Sequence, residues 1–485
     1  MTKIPAKKYR LTGEHFYKFF QCPHWIWYDI YADQSRKLDI PPLMQMIFED
    51  GLRHERQIIK SRIFEEIKPE LFKDLDEAFL ATVELMKSGK NIYHGVLMDQ
   101  HWVGIPDLLE ARPLEKGMKS KLGDFYYVVY DIKNNEDIKE EHKFQLVFYS
   151  LILERIQGVL PREAYIINAS GEERSFIVDE FLDYFHLTRE RIERILDGEK
   201  PAPFLKSGCR QTPWFSLCME DAKSCDDVSL VYRLSQNDQR RLYQAGIKTI
   251  HDLASADLSD LAGDLEDWPF DKLMRFQSQA ITLVSGQPSI LKKSVFPSTG
   301  TEIYFDVESD PTEDIDYLLG VLIKDSSGKT EYRPFWADDK EKEKDIWNAF
   351  LQFLENLDEY VVYHYSGYER QVITRLSKLY GISPILEQRL TNSSIDLQKS
   401  VTDAVILPLY FYGLKDIAQF LGFSWHSQNA GGAESVVWYN DWLASRDSKI
   451  KQKITQYNED DVRATLFVKE WLERQKPRVE KETLE

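Results

Sequence analysis

Asp131 and Lys133 stand two residues apart in the run Tyr-Asp-Ile-Lys-Asn-Asn. On a strand, alternate residues share a face, so carboxylate and ammonium project together. A carboxylate in that setting can hold a divalent cation, and a lysine can position or deprotonate a water. Asp107, just after a Gly-x-Pro turn at Gly104–Pro106, offers a second carboxylate, and His54 an imidazole on a helix. Gln145 and Tyr149 are four apart and share one helix face. A second constellation lies further along. Asp306 and Glu308, two apart in Ile-Tyr-Phe-Asp-Val-Glu-Ser-Asp, face the same way on a strand, and two such carboxylates repel unless a cation lies between them. Tyr457 and Asp461, four apart, set a phenol beside a carboxylate on one helix face, while Glu369 follows an apolar strand and a turn in Val-Val-Tyr-His-Tyr-Ser-Gly-Tyr-Glu-Arg. Both sets suit metal-assisted activation of water.

The elements that must position these groups are legible from periodicity. Residues Leu43 to Ile67 predict a helix, Trp102 to Leu109 and Phe125 to Ile132 strands, and Phe144 to Ile156 a helix. Tyr126 to Tyr130 is aromatic and β-branched, as a buried strand requires. From Val228 to Gly286 the pattern changes to short helices, with Gly246 between two of them. Ser285 to Gly300 reads as a linker with two prolines. A strand then opens at Thr301, and strands and helices alternate to about Gln475, before a charged tail expected to fray.

A chain of 485 residues suggests about three domains. With 43% hydrophobic and 29% charged residues it can bury a substantial core. No stretch approaches the roughly 20 apolar residues of a membrane span, and the N-terminus lacks the apolar run of a secretory signal, so a cytoplasmic location without membrane attachment is expected. The net charge of −18 excludes a generic basic nucleic-acid coat. Affinity for nucleic acid must come from a local patch or from bound metal.

Of the four cysteines, Cys209, Cys218 and Cys225 fall close together and Cys22 lies far upstream. In a reducing compartment such a set points to a metal or iron–sulfur centre more than to disulfides. Four thiolates suit either an iron–sulfur cluster or tetrahedral zinc, and buried thiols are a third reading. Gly246 likewise has two readings: a hairpin whose backbone N–H groups approach a phosphate, or a helix C-cap.

The order Gly-x-x-His-Glu (Gly51 to Glu55), Gly-x-x-Asp (Gly104 to Asp107), Asp-x-Lys and Gln-x-x-x-Tyr resembles the RecB-like branch of the PD-(D/E)xK superfamily. The resemblance implies that His54, Asp107 and Asp131 hold a metal, with the Ile132 carbonyl contributing. It makes Lys133 the catalytic lysine, and has Gln145 and Tyr149 contact substrate or brace the site. One distant and three clustered cysteines resemble the RecB-like nucleases that carry a 4Fe–4S cluster, although the last three are spaced more widely than those families' Cys-x-x-Cys pair. The stretch around Gly246 resembles a helix-hairpin-helix unit. From about Glu302 to Leu472 the chain resembles the DEDD exonucleases, in particular the YprB-type RNase H-like domain, and its Tyr-x-x-x-Asp ending marks the DEDDy subtype. That implies a metal site of Asp306, Glu308 and Asp461 with Tyr457 orienting the attacking water. Glu369, carried over as a further metal ligand, stands where the family's second motif has aspartate, one methylene shorter.

The expected architecture is therefore a multidomain α/β chain. It has a PD-(D/E)xK restriction-endonuclease-like core over 1–227, a small helical helix-hairpin-helix bridge over 228–292, and an RNase H-like DEDDy 3′–5′ exonuclease domain over 293–476. The expected reaction is Mg²⁺- or Mn²⁺-dependent phosphodiester hydrolysis on single-stranded or frayed DNA, with RNA as the alternative substrate. A nucleic-acid-binding scaffold with one vestigial site is the rival from another class. No Gly-x-x-x-x-Gly-Lys-Ser/Thr loop occurs, so unwinding would need a helicase partner.

Overall fold

The computed structural model describes residues 9–427 and 431–476. The charged tail beyond Lys476 lies outside them. The chain divides into two compact units, Met1–Ile40 with Gln45–Met219, and Pro41–Met44 with Glu220–Glu485.

The first unit is built on a six-stranded mixed sheet. Its strands, β1 (Glu65–Glu66), β2 (Ile92–Tyr93), β3 (Leu108–Pro113), β4 (Phe125–Ile132), β5 (Glu163–Ile167) and β6 (Glu173–Ile177), lie in chain order across it. The helices that matter here are α1 (Gly13–Gln21), α2 (Pro23–Tyr31), α3 (Pro42–Lys60), α4 (Glu140–Gln157), α5 (Leu182–Leu196) and α6 (Phe215–Ser224). β4 shows why its sequence is aromatic and apolar up to Asp131: both of its faces are covered. Tyr127 and Val129 join a core with Phe144, Phe148 and Phe16, while Tyr126, Val128, Tyr130 and Ile132 pack with Ile59 of α3. The core of α4 is buried almost all round, from Leu146 through Leu153, as expected of a central helix.

Two of the expected elements differ. The strand expected over Trp102 to Leu109 is broken. Trp102–Gly104 pairs with Leu97–Asp99 and Leu11–Thr12 in a separate small sheet, and β3 begins only at Leu108. Pro106 supplies no N–H for a ladder, which accounts for the break. The helix expected to Ile67 stops at Lys60.

The second unit opens with α7 (Gln236–Gln244), α8 (Ile250–Ser255) and α9 (Phe270–Ser285). The expected linker is not wholly irregular, since Ser289–Ile290 pairs antiparallel with Val405–Ile406. A five-stranded sheet follows: β7 (Thr301–Asp310), β8 (Ile315–Asp325), β9 (Thr330–Trp336), β10 (Val361–His364) and β11 (Ser394–Asp396), in the order β9-β8-β7-β10-β11. β7 is antiparallel to β8 and parallel to β10. Its odd residues, Ile303, Phe305 and Val307, enter one core. Tyr304 enters the core on the opposite face, which contains Tyr457, Val462 and Val468 of the 27-residue helix Ser448–Arg474. Asp306 and Glu308 share the parity of Tyr304 and so project toward that helix. A bulge between Glu308 and Ser309 ends the regular pairing of β7. No helix among the described residues is long and apolar enough to cross a membrane.

Candidate metal centres

In the second unit, one oxygen each from Asp306, Glu308 and Asp461 lies within 4.8 Å of the others. Strand and helix together make the cluster, and neighbouring side chains fix its orientation. Asn458 donates Nδ2–H to Asp306 Oδ2 at 2.7 Å and approaches Glu308 Oε1 at 3.4 Å, while its own oxygen accepts from the Tyr332 hydroxyl at 2.9 Å. Gly320 makes room for it. This glycine is the β8 partner of Asp306, and a Cβ there would lie 1.6 Å from Asn458 Oδ1. The Trp425 indole N–H donates to Asp461 Oδ1 at 2.6 Å.

Three carboxylates this close, two of them buried, are costly without a cation. Their acidities record the conflict. Burial, then Asp461 and Glu308, raises Asp306 well above the usual carboxylate range. Burial and Asp461 push Glu308 up to about 8. Asp461 rises to about 6 through burial, with Lys415 and the Trp425 bond opposing. The Tyr457 phenol is driven upward by burial and by Asp461, and Lys415 Nζ lies 4.7 Å from its ring centre. This donor set of hard, crowded oxygens fits a divalent cation. Glu369 is not in the group of three. It is buried on α10 (Tyr368–Tyr380), near enough for its charge to raise Asp306 further.

In the first unit, the ligand atoms that converge within 4.8 Å are those of Glu55, His94 and Asp107. His54 is not among them. Its Nε2 is 3.2 Å from the Asn168 carbonyl oxygen. His94, at φ 54, stacks on Tyr93 at 3.8 Å, and both side chains bond Glu55 Oε1, at 2.8 and 2.7 Å. Asp107 Oδ2 accepts from the Ile132 N–H at 2.6 Å. Burial, then the adjoining Asp131 carboxylate, raises Asp107 well above its usual range. Lys133 Nζ lies 2.6 Å from Asp131 Oδ2. Burial alone would lower the lysine, but Asp131 and Asp107 outweigh it and hold the ammonium charged. Lys133 stands just past the end of β4, yet its N–H still pairs with the Ile167 carbonyl at 2.9 Å. Gln145 Nε2 donates to the Tyr149 hydroxyl at 2.8 Å. Tyr149 is only 4% exposed and fills a cradle where a Cβ on Gly104 or Gly13 would lie 2.5 or 2.7 Å from its ring or hydroxyl. Its ring is thus enclosed by the protein.

The sulfurs of Cys209 and Cys218 are 3.9 and 3.8 Å from that of Cys22, buried among Tyr28, Trp214 and Leu217. Three thiolates so close would repel, so the trio fits either a single shared charge or a bound cation. Cys225 belongs to the second unit, where it is exposed and donates to the Asp221 carbonyl at 3.2 Å.

Gly246, at φ +82, caps α7, with the Ile247 N–H returning to the Leu242 carbonyl at 2.8 Å. The N–H groups of Lys248 and Thr249 ahead of α8, which a phosphate would need, already bond Asp252 Oδ2 at 3.0 and 2.9 Å. The chain supplies its own anion there, which favours the C-cap reading over the phosphate-binding one.

The sequence motifs assign no role to Asn458, Trp425, Gly320 or His94, and Glu55 enters only as the end of the Gly-x-x-His-Glu motif. A signal existed for Asn458, which is three residues from Asp461 and so shares its helix face.

Residues 303–473 match the family model of the RNase_H superfamily. The match takes in most of β7 and of the helix bearing Asp461, with the whole three-carboxylate cluster, so the second unit contains an RNase H-like domain. No curated protein matches the chain.

Proposed function

We propose that this chain is a divalent-metal-dependent nuclease with two hydrolytic sites that processes nucleic-acid ends, DNA ahead of RNA. The observation that carries the reading is the convergence of Asp306, Glu308 and Asp461 inside a segment matched to the RNase_H superfamily. In the second unit, a DEDDy-type 3′–5′ exonuclease domain placed at 293–476, these three residues would hold the metal, with Glu369 close by. Bound there, Mg²⁺ or Mn²⁺ would lower the pKa of a water and stabilise the leaving oxygen. The chain's own groups do the rest. Asn458 and Trp425 hold the carboxylates in place, and Tyr457, beside Asp461, orients the attacking water. Lys415 and Lys453, over the rings of Tyr457 and Trp438, give an acidic protein local positive charge near the cluster, as backbone tracking requires.

Tyr457→Phe keeps the ring and removes the hydroxyl. We expect turnover to fall about 10²–10⁴-fold, the range of general acid–base assistance, with Mn²⁺ affinity nearly unchanged. Calorimetry beside single-turnover rates checks both, and a matching loss of affinity would make the phenol a ligand.

The domain expected at 1–227, which holds the first unit, reads as a RecB-like PD-(D/E)xK nuclease, supported by the meeting of Asp107, Asp131 and Lys133 at the end of β4. Lys133→Ala should remove cleavage by this site while sparing metal binding, and Asp131→Ala should remove both. End-labelled single- and double-stranded DNA and RNA, with and without Mg²⁺ or Mn²⁺, test the whole reading. No metal-dependent cleavage of any of the four would sink it. The thiol trio is offered as part of a 4Fe–4S or zinc site, and residues 228–292 as a helical bridge. A helicase partner would supply unwinding.

A further inference from the structure

His54 and Glu55 are neighbours on α3, so their side chains leave the helix in directions about 100° apart. The fold turns Glu55 toward Asp107 and His54 away from it. Glu55 Oε1 accepts from the Tyr93 hydroxyl at 2.7 Å and lies 2.8 Å from His94 Nε2. One oxygen of Glu55, one nitrogen of His94 and one oxygen of Asp107 converge within 4.8 Å. His54 instead directs Nε2 to the Asn168 carbonyl oxygen at 3.2 Å. The imidazole that stands among the carboxylates therefore comes from a different element than the Gly-x-x-His-Glu motif indicates.

His94 is held there at a cost. It follows β2 directly and has φ 54, a conformation that residues with a Cβ rarely adopt and that clusters at functional sites when the surroundings over-determine it. Three contacts do so. Its N–H donates to the Asp107 carbonyl at 3.0 Å, its ring stacks on Tyr93 at 3.8 Å, and its Nε2 meets Glu55. Asp107 is fixed in turn, because its Oδ2 accepts from the Ile132 N–H at 2.6 Å. Ile132 lies between Asp131 and Lys133, so the trio borders that pair. The three residues come from α3, the end of β2 and the approach to β3, which only the fold brings together. The His94 side chain is 33% exposed, which leaves an ion a way in from solvent.

We propose that His94 Nε2 is a metal ligand of the first unit, holding one divalent cation together with Glu55 and Asp107 in the place that the motif resemblance gives to His54. The inference rests on reading Asp107 as part of a metal site. An ion entering there replaces the proton between Nε2 and Glu55 Oε1, and the neutral ring carries its proton on Nδ1. Mg²⁺ prefers oxygen donors and water, so Mn²⁺ should be held more tightly than Mg²⁺ at this site.

The test uses the full-length chain with Asp306→Asn and Asp461→Asn, so that the second unit contributes little bound ion. Mn²⁺ is added, and pulsed electron paramagnetic resonance reads nitrogen hyperfine coupling in protein labelled with ¹⁵N-histidine. We expect a coupling that shifts with the isotope, survives His54→Asn and disappears in His94→Asn. Asparagine tolerates the positive φ of position 94 better than most residues, so this substitution removes the nitrogen and spares the turn. Mn²⁺ affinity, read by calorimetry, should fall about tenfold or more in His94→Asn and stay nearly unchanged in His54→Asn. If His94→Asn fails to fold, His54→Asn decides: loss of the coupling there overturns the proposal, and its survival supports it. Bound Mn²⁺ that Asp107→Asn releases but that shows no histidine coupling would overturn the proposal and leave an all-oxygen metal site standing. If Asp107→Asn releases no Mn²⁺, the metal reading of the first unit falls as well.

Discussion

Replacing Asp306 with alanine in a chain whose Lys133 is already alanine should reduce nucleic-acid cleavage by the second unit by about 10³-fold or more. Lewis-acid stabilisation is worth several kcal/mol, and each 1.36 kcal/mol is a factor of ten. Lys133 must be removed first, or the other site masks the loss. The same substitution should make the metal-free protein more stable, because it takes one charge out of a crowded trio. Glu308 makes the sign explicit. Its acidity is shifted upward, to about 8, so the folded state favours its protonated form. Stability from this group is fully present below the ordinary carboxylate range and is lost as pH rises toward 8. Metal-free parent protein should therefore melt lower at pH 8 than at pH 5. Asp306→Ala should flatten that dependence, and saturating Mg²⁺ should raise the melting temperature of the parent by more than that of the variant. Equal nuclease rates for variant and parent would mean that this domain only binds nucleic acid.

Gly320→Ala is expected to do nearly as much harm with one methyl group. The added carbon would sit 1.6 Å from Asn458 Oδ1, so Asn458 must leave, abandoning its bonds to Asp306 and to Tyr332. Overpacking and unmade buried hydrogen bonds to a charged partner together cost about 2–4 kcal/mol. In a unit of this size that is a fall in melting temperature of about 5–15 °C, and activity should drop with it because the Asp306 carboxylate loses its anchor. A double substitution separates clash from anchor. Asn458→Ala added to Gly320→Ala should recover much of the melting temperature and none of the activity. If Gly320→Ala alone melts with the parent, the close approach of Asn458 does not order the site.

These two residues also mark what the sequence made legible. The pairing of Asp306 with Glu308 follows from the two-residue period of a strand, and β7 honours it, with its odd residues in one core and its acids on the opposite face. β4 was legible over its whole length because both its faces are buried and its composition says so. Gly320 was not, because its importance lies in a strand neighbour and a helix far along the chain, and nothing local distinguishes it from any other glycine. His94 was hidden for a related reason. Its ring reaches Glu55 and Asp107 through a positive-φ backbone that spacing does not encode, whereas His54, in the more recognisable motif, spends its ring on the Asn168 carbonyl. Gly246 was legible in kind but not in role, since only the bonds of Asp252 reveal that the nearby N–H groups are already occupied.

The sulfur trio of the first unit has a consequence for the order in which the protein is made. Cys22 and Cys218 are separated by 196 positions, which a ribosome adding 5–20 residues per second covers in about 10–40 s. The helix that follows Cys22 has its other partners equally late, with Tyr31 donating to the Leu196 carbonyl at 2.8 Å and His24 meeting the Pro201 carbonyl at 2.9 Å. The beginning of the chain therefore leaves the ribosome tens of seconds before the surfaces that cover it exist. Phe16, Phe19 and Ile26, all buried at the end, must wait in the open or in the hands of a chaperone. Any ion that the three sulfurs hold can be inserted only after that wait is over.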